Sequence, residues 1–231
     1  MNCSQTGHLW GAVPADSKES SGAVRIAAWH PSKDLLATGS SDGKVTVWDA
    51  KSGELMQELH SCELPQEPVT AIAWKPDGLL LAAGSDDNTV RLWNAATGVL
   101  ERHLIDANKG HSAAVSAVAW HPEGNVLVSG SLDGSAKVWN AAEGGLGPDE
   151  GAIIDELGGH GGAVTSIAFT PCARYVLTTC DDGHVRIYRR SWQVAPAERE
   201  ECFDWGKYNS KLHNIAQAGA LIAEQVKVLC D

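Results

Sequence analysis

Four times along the chain, apolar and small residues alternate up to an aromatic. The runs are Val24 to Trp29, Val69 to Trp74, Val115 to Trp120 and Val164 to Phe169. A proline follows each: Pro31, Pro76, Pro122 and Pro171. Then come apolar stretches ending in small residues: Leu35 to Ser40, Leu79 to Ser85, Val126 to Ser131 and Tyr175 to Cys180. Next stands an Asp-led pair, Asp42-Gly43, Asp87-Asn88, Asp133-Gly134 and Asp182-Gly183. A second alternating run closes each unit: Val45 to Trp48, Val90 to Trp93, Ala136 to Trp139 and Val185 to Tyr188. Period-two alternation rich in Val, Ile and Trp predicts strands. Proline presets the first turn, and Asp-Gly or Asp-Asn predicts a two-residue hairpin with positive φ. A fourth strand fits each linker, over Glu54 to Leu59, Val99 to Ile105 and Ala152 to Leu157, each preceded by a glycine.

The units repeat in register. Trp29, Trp74, Trp120 and Phe169 are separated by 45, 46 and 49 residues. Each lies 19 residues before the aromatic that closes its unit, Trp48, Trp93, Trp139 or Tyr188. A constant internal spacing with variable steps means a fixed structural unit joined by tolerant connections. Four antiparallel strands in roughly 40–45 residues make a small sheet that must cover its faces with its neighbours. The predicted class is therefore all-β.

These units resemble the WD-repeat family of β-propellers. The dipeptide that names the family stands as Trp48-Asp49, and in softened form as Trp93-Asn94 and Trp139-Asn140. The Gly-His that opens a repeat appears as Gly110-His111 and Gly159-His160. The resemblance spans about residues 20 to 190. It implies a buried hydrogen-bond chain of His, Ser or Thr, Asp and Trp within a blade. The third repeat supplies His111, Ser129, Asp133 and Trp139, with Ser131 competing for the hydroxyl position. The fourth supplies His160, Thr178 and Asp182, with Tyr188 in place of Trp. The second keeps Asp87 and Trp93 but has Ala83 for the hydroxyl, and His60 falls five residues early. The first has Thr38, Asp42 and Trp48 without an upstream Gly-His.

Ser, His and Asp together invite a catalytic triad, but a triad has no reason to recur once per unit. His30 and His121, each before a turn proline, read as solvated turn residues. The pairs Asp86-Asp87 and Asp181-Asp182 fit hairpin turns and no calcium loop. Gly144 to Gly147 lacks the Lys and Ser/Thr of a phosphate loop. The expectation is a noncatalytic protein with no cofactor and no metal.

Composition sharpens this picture. Nine Trp stand beside two Phe and three Tyr, and six of the nine belong to the repeat register. The net charge is −11, from 29 acids against 18 bases. That field repels nucleic acid, and the lone basic cluster, Arg186, Arg189 and Arg190, is too small to reverse it. No apolar run reaches the roughly 18 residues of a membrane span. The first residues lack a secretory signal, so a cytoplasmic or nuclear location is expected. The six cysteines show no metal or redox spacing and read as reduced thiols.

The predicted organisation is an N-terminal segment 1–23 and four repeats over about 24–60, 69–107, 111–157 and 160–190. An extension, 191–231, follows. His8 to Val13 is a candidate closing strand, and Trp192 to Ala195 a candidate outer strand for the fourth sheet. Leu212, Ile215, Ala216, Gly219, Ile222, Ala223, Val226 and Leu229 predict a helix over 209–229. That helix has three readings: docking on the propeller, binding a partner or oligomerising, and being a fragment of something longer.

Rings of the resembling family usually hold about seven blades, or roughly 300 residues. Four clear blades imply an open or partial propeller, or one completed by the chain ends, a second copy or a partner. The resemblance also places the Ser61 to Pro68 connection, Asp106 to Lys109 and the Asp-led turns on one face. Candidate partner-binding residues there are Ser41, Leu64, Pro65, Asp86, Leu132 and Asp181. The expected function is a protein–protein interaction scaffold, a WD-repeat subunit of a larger complex. The alternatives are a ubiquitin-ligase substrate receptor, argued from fold alone, and an enzyme or small-ligand binder using the propeller channel.

Overall fold

The computed structural model describes residues 22–59, 67–105, 109–141 and 153–189, together with the backbone of a short strand at 203–204. Alternation becomes strand at every repeat. The first sheet is β1 (Val24–Trp29), β2 (Leu35–Ser40), β3 (Val45–Asp49) and β4 (Leu55–Leu59). The second is β5 (Val69–Trp74), β6 (Leu80–Ser85), β7 (Val90–Asn94) and β8 (Leu100–Leu104). The third is β9 (Val115–Trp120), β10 (Val126–Ser131), β11 (Ala136–Asn140) and β12 (Ile153–Leu157). The fourth is β13 (Val164–Phe169), β14 (Tyr175–Cys180), β15 (Val185–Arg189) and β16 (Phe203–Asp204). Each sheet is antiparallel with its strands in chain order. Among the described residues there is no helix, and the predicted helix 209–229 lies outside them.

The first strands β1, β5, β9 and β13 pack in succession, so the four sheets form a propeller arc. Three apolar cores lie between successive sheets. Ala37, Val45, Val47 and Leu59 meet Val69, Ile72 and Trp74 at the first interface. Leu92 and Leu104 meet Val115, Trp120 and Leu127 at the second. Val128, Val138 and Leu157 meet Val164, Ile167 and Val176 at the third. Each fully buried Val or Leu contributes about 1.5–3 kcal/mol, so these interfaces carry the fold. The fourth strands mix apolar and charged residues, as in Leu100–Leu104 and Ile153–Leu157, which suits a sheet edge.

Four expectations are corrected. The Asp-led turns hold three residues, not two. Ser40 N–H bonds the Lys44 carbonyl at 3.0 Å, and within residues 41–43 only Gly43 has positive φ, at 81°. The left-handed residue comes last, which is the three-residue hairpin geometry. The outer strand of the fourth sheet is Phe203–Asp204, with Phe203 opposite Ile187, whereas Trp192 to Ala195 lies outside the described residues. Proximity along the chain misled there, because outer strands tolerate long connections.

His30 and His121 are buried, not solvated. Each clasps the next sheet. The His30 ring packs on Trp74, with centroids 4.7 Å apart, and against Gly78. His121 Nε2–H donates to the Ala173 carbonyl at 3.1 Å, and its ring meets Phe169 edge-on. A turn imidazole carries one donor and one acceptor, so it can satisfy its own turn and its neighbour together. Finally, Cys172 is disulfide-bonded, so it departs from the reduced-thiol reading. Cys180 is a buried free thiol.

Candidate interaction surface and the chains beneath it

In the third sheet four side chains form one directed chain. Trp139 Nε1–H donates to Ser129 Oγ at 2.7 Å. The Ser129 hydroxyl lies 2.7 Å from His111 Nε2. His111 Nδ1 faces Asp133 Oδ2 at 3.3 Å and Ser135 Oγ at 3.1 Å. With the proton on Nδ1, every donor in this chain meets an acceptor. Burial pushes the His111 imidazolium down, outweighing the nearby Asp133 charge, so the ring is neutral. Burial works against the Asp133 charge too. The Ser135 hydroxyl and the Ser112 and Ser135 amides overcome it and hold that carboxyl at about 2. Ser131 is occupied elsewhere, donating to the Ala113 carbonyl at 2.8 Å.

The other sheets build shorter versions. In the fourth, His160 Nε2 meets Thr178 Oγ1 at 2.7 Å. Tyr188 Oη donates instead to the Gly158 carbonyl, also at 2.7 Å. Asp182 pairs with Arg186 at 2.6 Å, which leaves His160 Nδ1 without a partner. That guanidinium, followed by hydrogen bonds from neighbouring groups, holds the Asp182 carboxyl far below its usual range despite partial burial. In the second, Ala83 offers no oxygen and Trp93 Nε1 is buried without a partner. Asp87 pairs with Arg91 and accepts from Thr89 Oγ1 at 2.7 Å. In the first, Trp48 Nε1–H reaches Thr38 Oγ1 at 3.0 Å and Thr46 Oγ1 at 2.9 Å. Asp42 accepts from Ser40 Oγ.

One position on the third strand separates these cases. Thr46, Arg91, Lys137 and Arg186 are equivalent in register. Arginine there takes the turn carboxylate. Lys137 turns to Glu156, at 3.3 Å, and leaves Asp133 to the histidine. The sequence held this signal, but Arg91 read only as a strand residue and Arg186 as part of a basic cluster.

The chains anchor one loop face. At every repeat, the residue before the turn Asp bonds the carbonyl just ahead of the first strand. Ser41 N–H reaches Ala23 O, Asp86 N–H Pro68 O, Leu132 N–H Ala114 O and Asp181 N–H Ala163 O, at 2.9–3.0 Å. Hairpin tips and strand entries therefore share a face. Ser41 also accepts from Ala23 N–H at 2.9 Å. Asp86 pairs with Arg25 of the first sheet at 3.3 Å. Asp181 is exposed. Leu132 is 55% exposed. Leu64 and Pro65 lie outside the described residues.

The family model for the WD domain, G-beta repeat, matches residues 15–49, 55–94, 102–140 and 151–189. This chain belongs to the WD40 family. Members carry repeats that mediate binding to other proteins. The WD40 chain is similar to the computationally designed Ika4 protein, at 28% identity and a TM-score of 0.60. The alignment covers 75% of this chain and 95% of that one. It is also 36% identical over 55 residues to polyadenylation factor subunit 2 of Neurospora crassa. That stretch is 24% of this WD40 chain, and it spans only 6% of the fungal protein. Among the described residues of this WD40 protein, no group of three His, Cys, Asp or Glu is placed to hold a metal ion. No described helix is long and apolar enough to cross a membrane.

Proposed function

We propose that this WD40 protein is a noncatalytic scaffold, one subunit of a larger multiprotein complex in the cytoplasm or nucleus. The observation that carries this reading is how the third repeat uses its reactive-looking groups. His111, Ser129 and Asp133 are tied to one another and to Trp139. A group already satisfied inside the protein is not poised to meet a substrate. The loop face above them is tied to the strand entries by repeated backbone hydrogen bonds and presents Leu132 outward. Rigid presentation of an apolar side chain lowers the entropic cost of docking. The short likeness to a polyadenylation factor subunit supports a place in a complex without choosing which one.

The test compares partners recovered with the natural chain and with Leu132→Asp, by affinity purification and mass spectrometry from native cells. The variant should keep its melting temperature and lose at least tenfold of one recovered partner. Unchanged recovery by a folded variant would count against the loop face as the contact.

A further inference from the structure

The three interfaces between sheets share one fitting and use two others at two interfaces each. At each, a glycine on the second strand receives the first valine of the next sheet. A Cβ placed on Gly39, Gly84 or Gly130 would lie 2.5 Å from a methyl of Val69, Val115 or Val164 respectively. A tryptophan then bonds backward. Trp74 Nε1–H reaches the Ala28 carbonyl at 3.0 Å, and Trp120 Nε1–H reaches the Ala73 carbonyl at 3.1 Å. A hydroxyl bonds forward, from Thr70 to the Val115 carbonyl and from Ser116 to the Val164 carbonyl.

The two ends of the arc are not alike. β1 carries its half of the fittings, Val24 and Trp29, in the same register. They stand 61% and 65% exposed, whereas Trp74 and Trp120 are 8% and 7% exposed. The fourth sheet lacks the matching half. Thr179 occupies the register position of Gly39, Gly84 and Gly130. It puts a side chain where the other three sheets have only a glycine hydrogen. The Thr165 hydroxyl, which should bond forward, lies 2.7 Å from Thr179 Oγ1 instead. A second copy therefore cannot dock its β1 on this fourth sheet with the geometry used inside the arc.

We propose that the β1 face is a docking surface for a propeller-type blade carried by a partner protein. That blade has glycine at the notch position of its second strand and a free first-strand carbonyl for the Trp29 indole. The proposal concerns a different surface from the loop face, so the two readings fail separately.

The probe is the chain itself with its notch restored by Thr179→Gly. Sedimentation velocity at about 50 μM should show a monomer for the natural chain. Thr179→Gly should associate head to tail, because its fourth sheet now matches its own β1. Adding Trp29→Asp to that variant should return it to monomer. The double variant keeps a competent fourth sheet, so mixing it with the natural chain should give a one-to-one complex.

Two results would overturn the proposal. One is head-to-tail association of the natural chain that Trp29→Asp abolishes, which would make a second copy the occupant. The other is a folded Thr179→Gly chain that stays monomeric, which would mean β1 is covered by this chain's own ends or does not accept a blade. Circular dichroism and a melting curve on each variant establish folding.

Discussion

Ser129 Oγ stands 2.7 Å from both the Trp139 indole nitrogen and the His111 Nε2 nitrogen. One hydroxyl therefore accepts from one ring and donates to the other, in a fully buried site.

Removing that hydroxyl leaves two buried groups without partners. Each unsatisfied group costs about 1–3 kcal/mol. Ser129→Ala should therefore destabilise the protein by roughly 2–4 kcal/mol. In a domain of this size the melting temperature should fall by about 5–10 °C. Scanning calorimetry measures it, and a loss under 1 °C would show the chain to be ornamental.

Ala173 has φ of 60°, in the region that an L side chain adopts at a cost of about 1–2 kcal/mol. Its equivalents Gly78 and Gly124 have φ of 75° and 74° without that cost. Ala173→Gly relieves the strain and adds some freedom to the unfolded chain. The net gain should be about 0.5–1 kcal/mol, raising the melting temperature by roughly 1–4 °C. A lower melting temperature would contradict this account.

Acid should weaken the fold in two stages. Burial lowers the proton affinity of His30, His111 and His160 in the folded state. The unfolded chain takes up protons first as pH falls through the ordinary value of about 6.5. Stability from neutral histidine is thus complete above that value and lost below it. Asp133 acts in the same direction lower down. Its folded value of about 2 means that its contribution is present above the ordinary carboxylate range and lost as pH drops towards 2. Melting temperatures should be level from pH 8 to 7 and fall by pH 5.5. A flat profile from pH 7 to 5 would refute the histidine assignment.

The first fifteen strands, their order and the position of each repeat aromatic were legible in the chain because alternation and register are local facts. The turn length was less so. Asp-Gly signals positive φ but does not count the residues before it, and Gly43 alone takes the left-handed conformation within 41–43. His30 and His121 were misread because their burial comes from the neighbouring sheet, and one repeat viewed by itself has no neighbour. The competition between Arg186 and His160 for Asp182 was hidden for the same reason: both partners are plausible in sequence, and only distance decides.

The bonds from Trp74 to Ala28 and from Trp120 to Ala73 both point backward along the chain. Such an arc behaves as a nearest-neighbour array, in which each unit contacts only its neighbours. A nascent chain can therefore set its second and third sheets against one that already exists, with a tryptophan as the latch. Each of those two latches finds its acceptor carbonyl already made when the protein is synthesised.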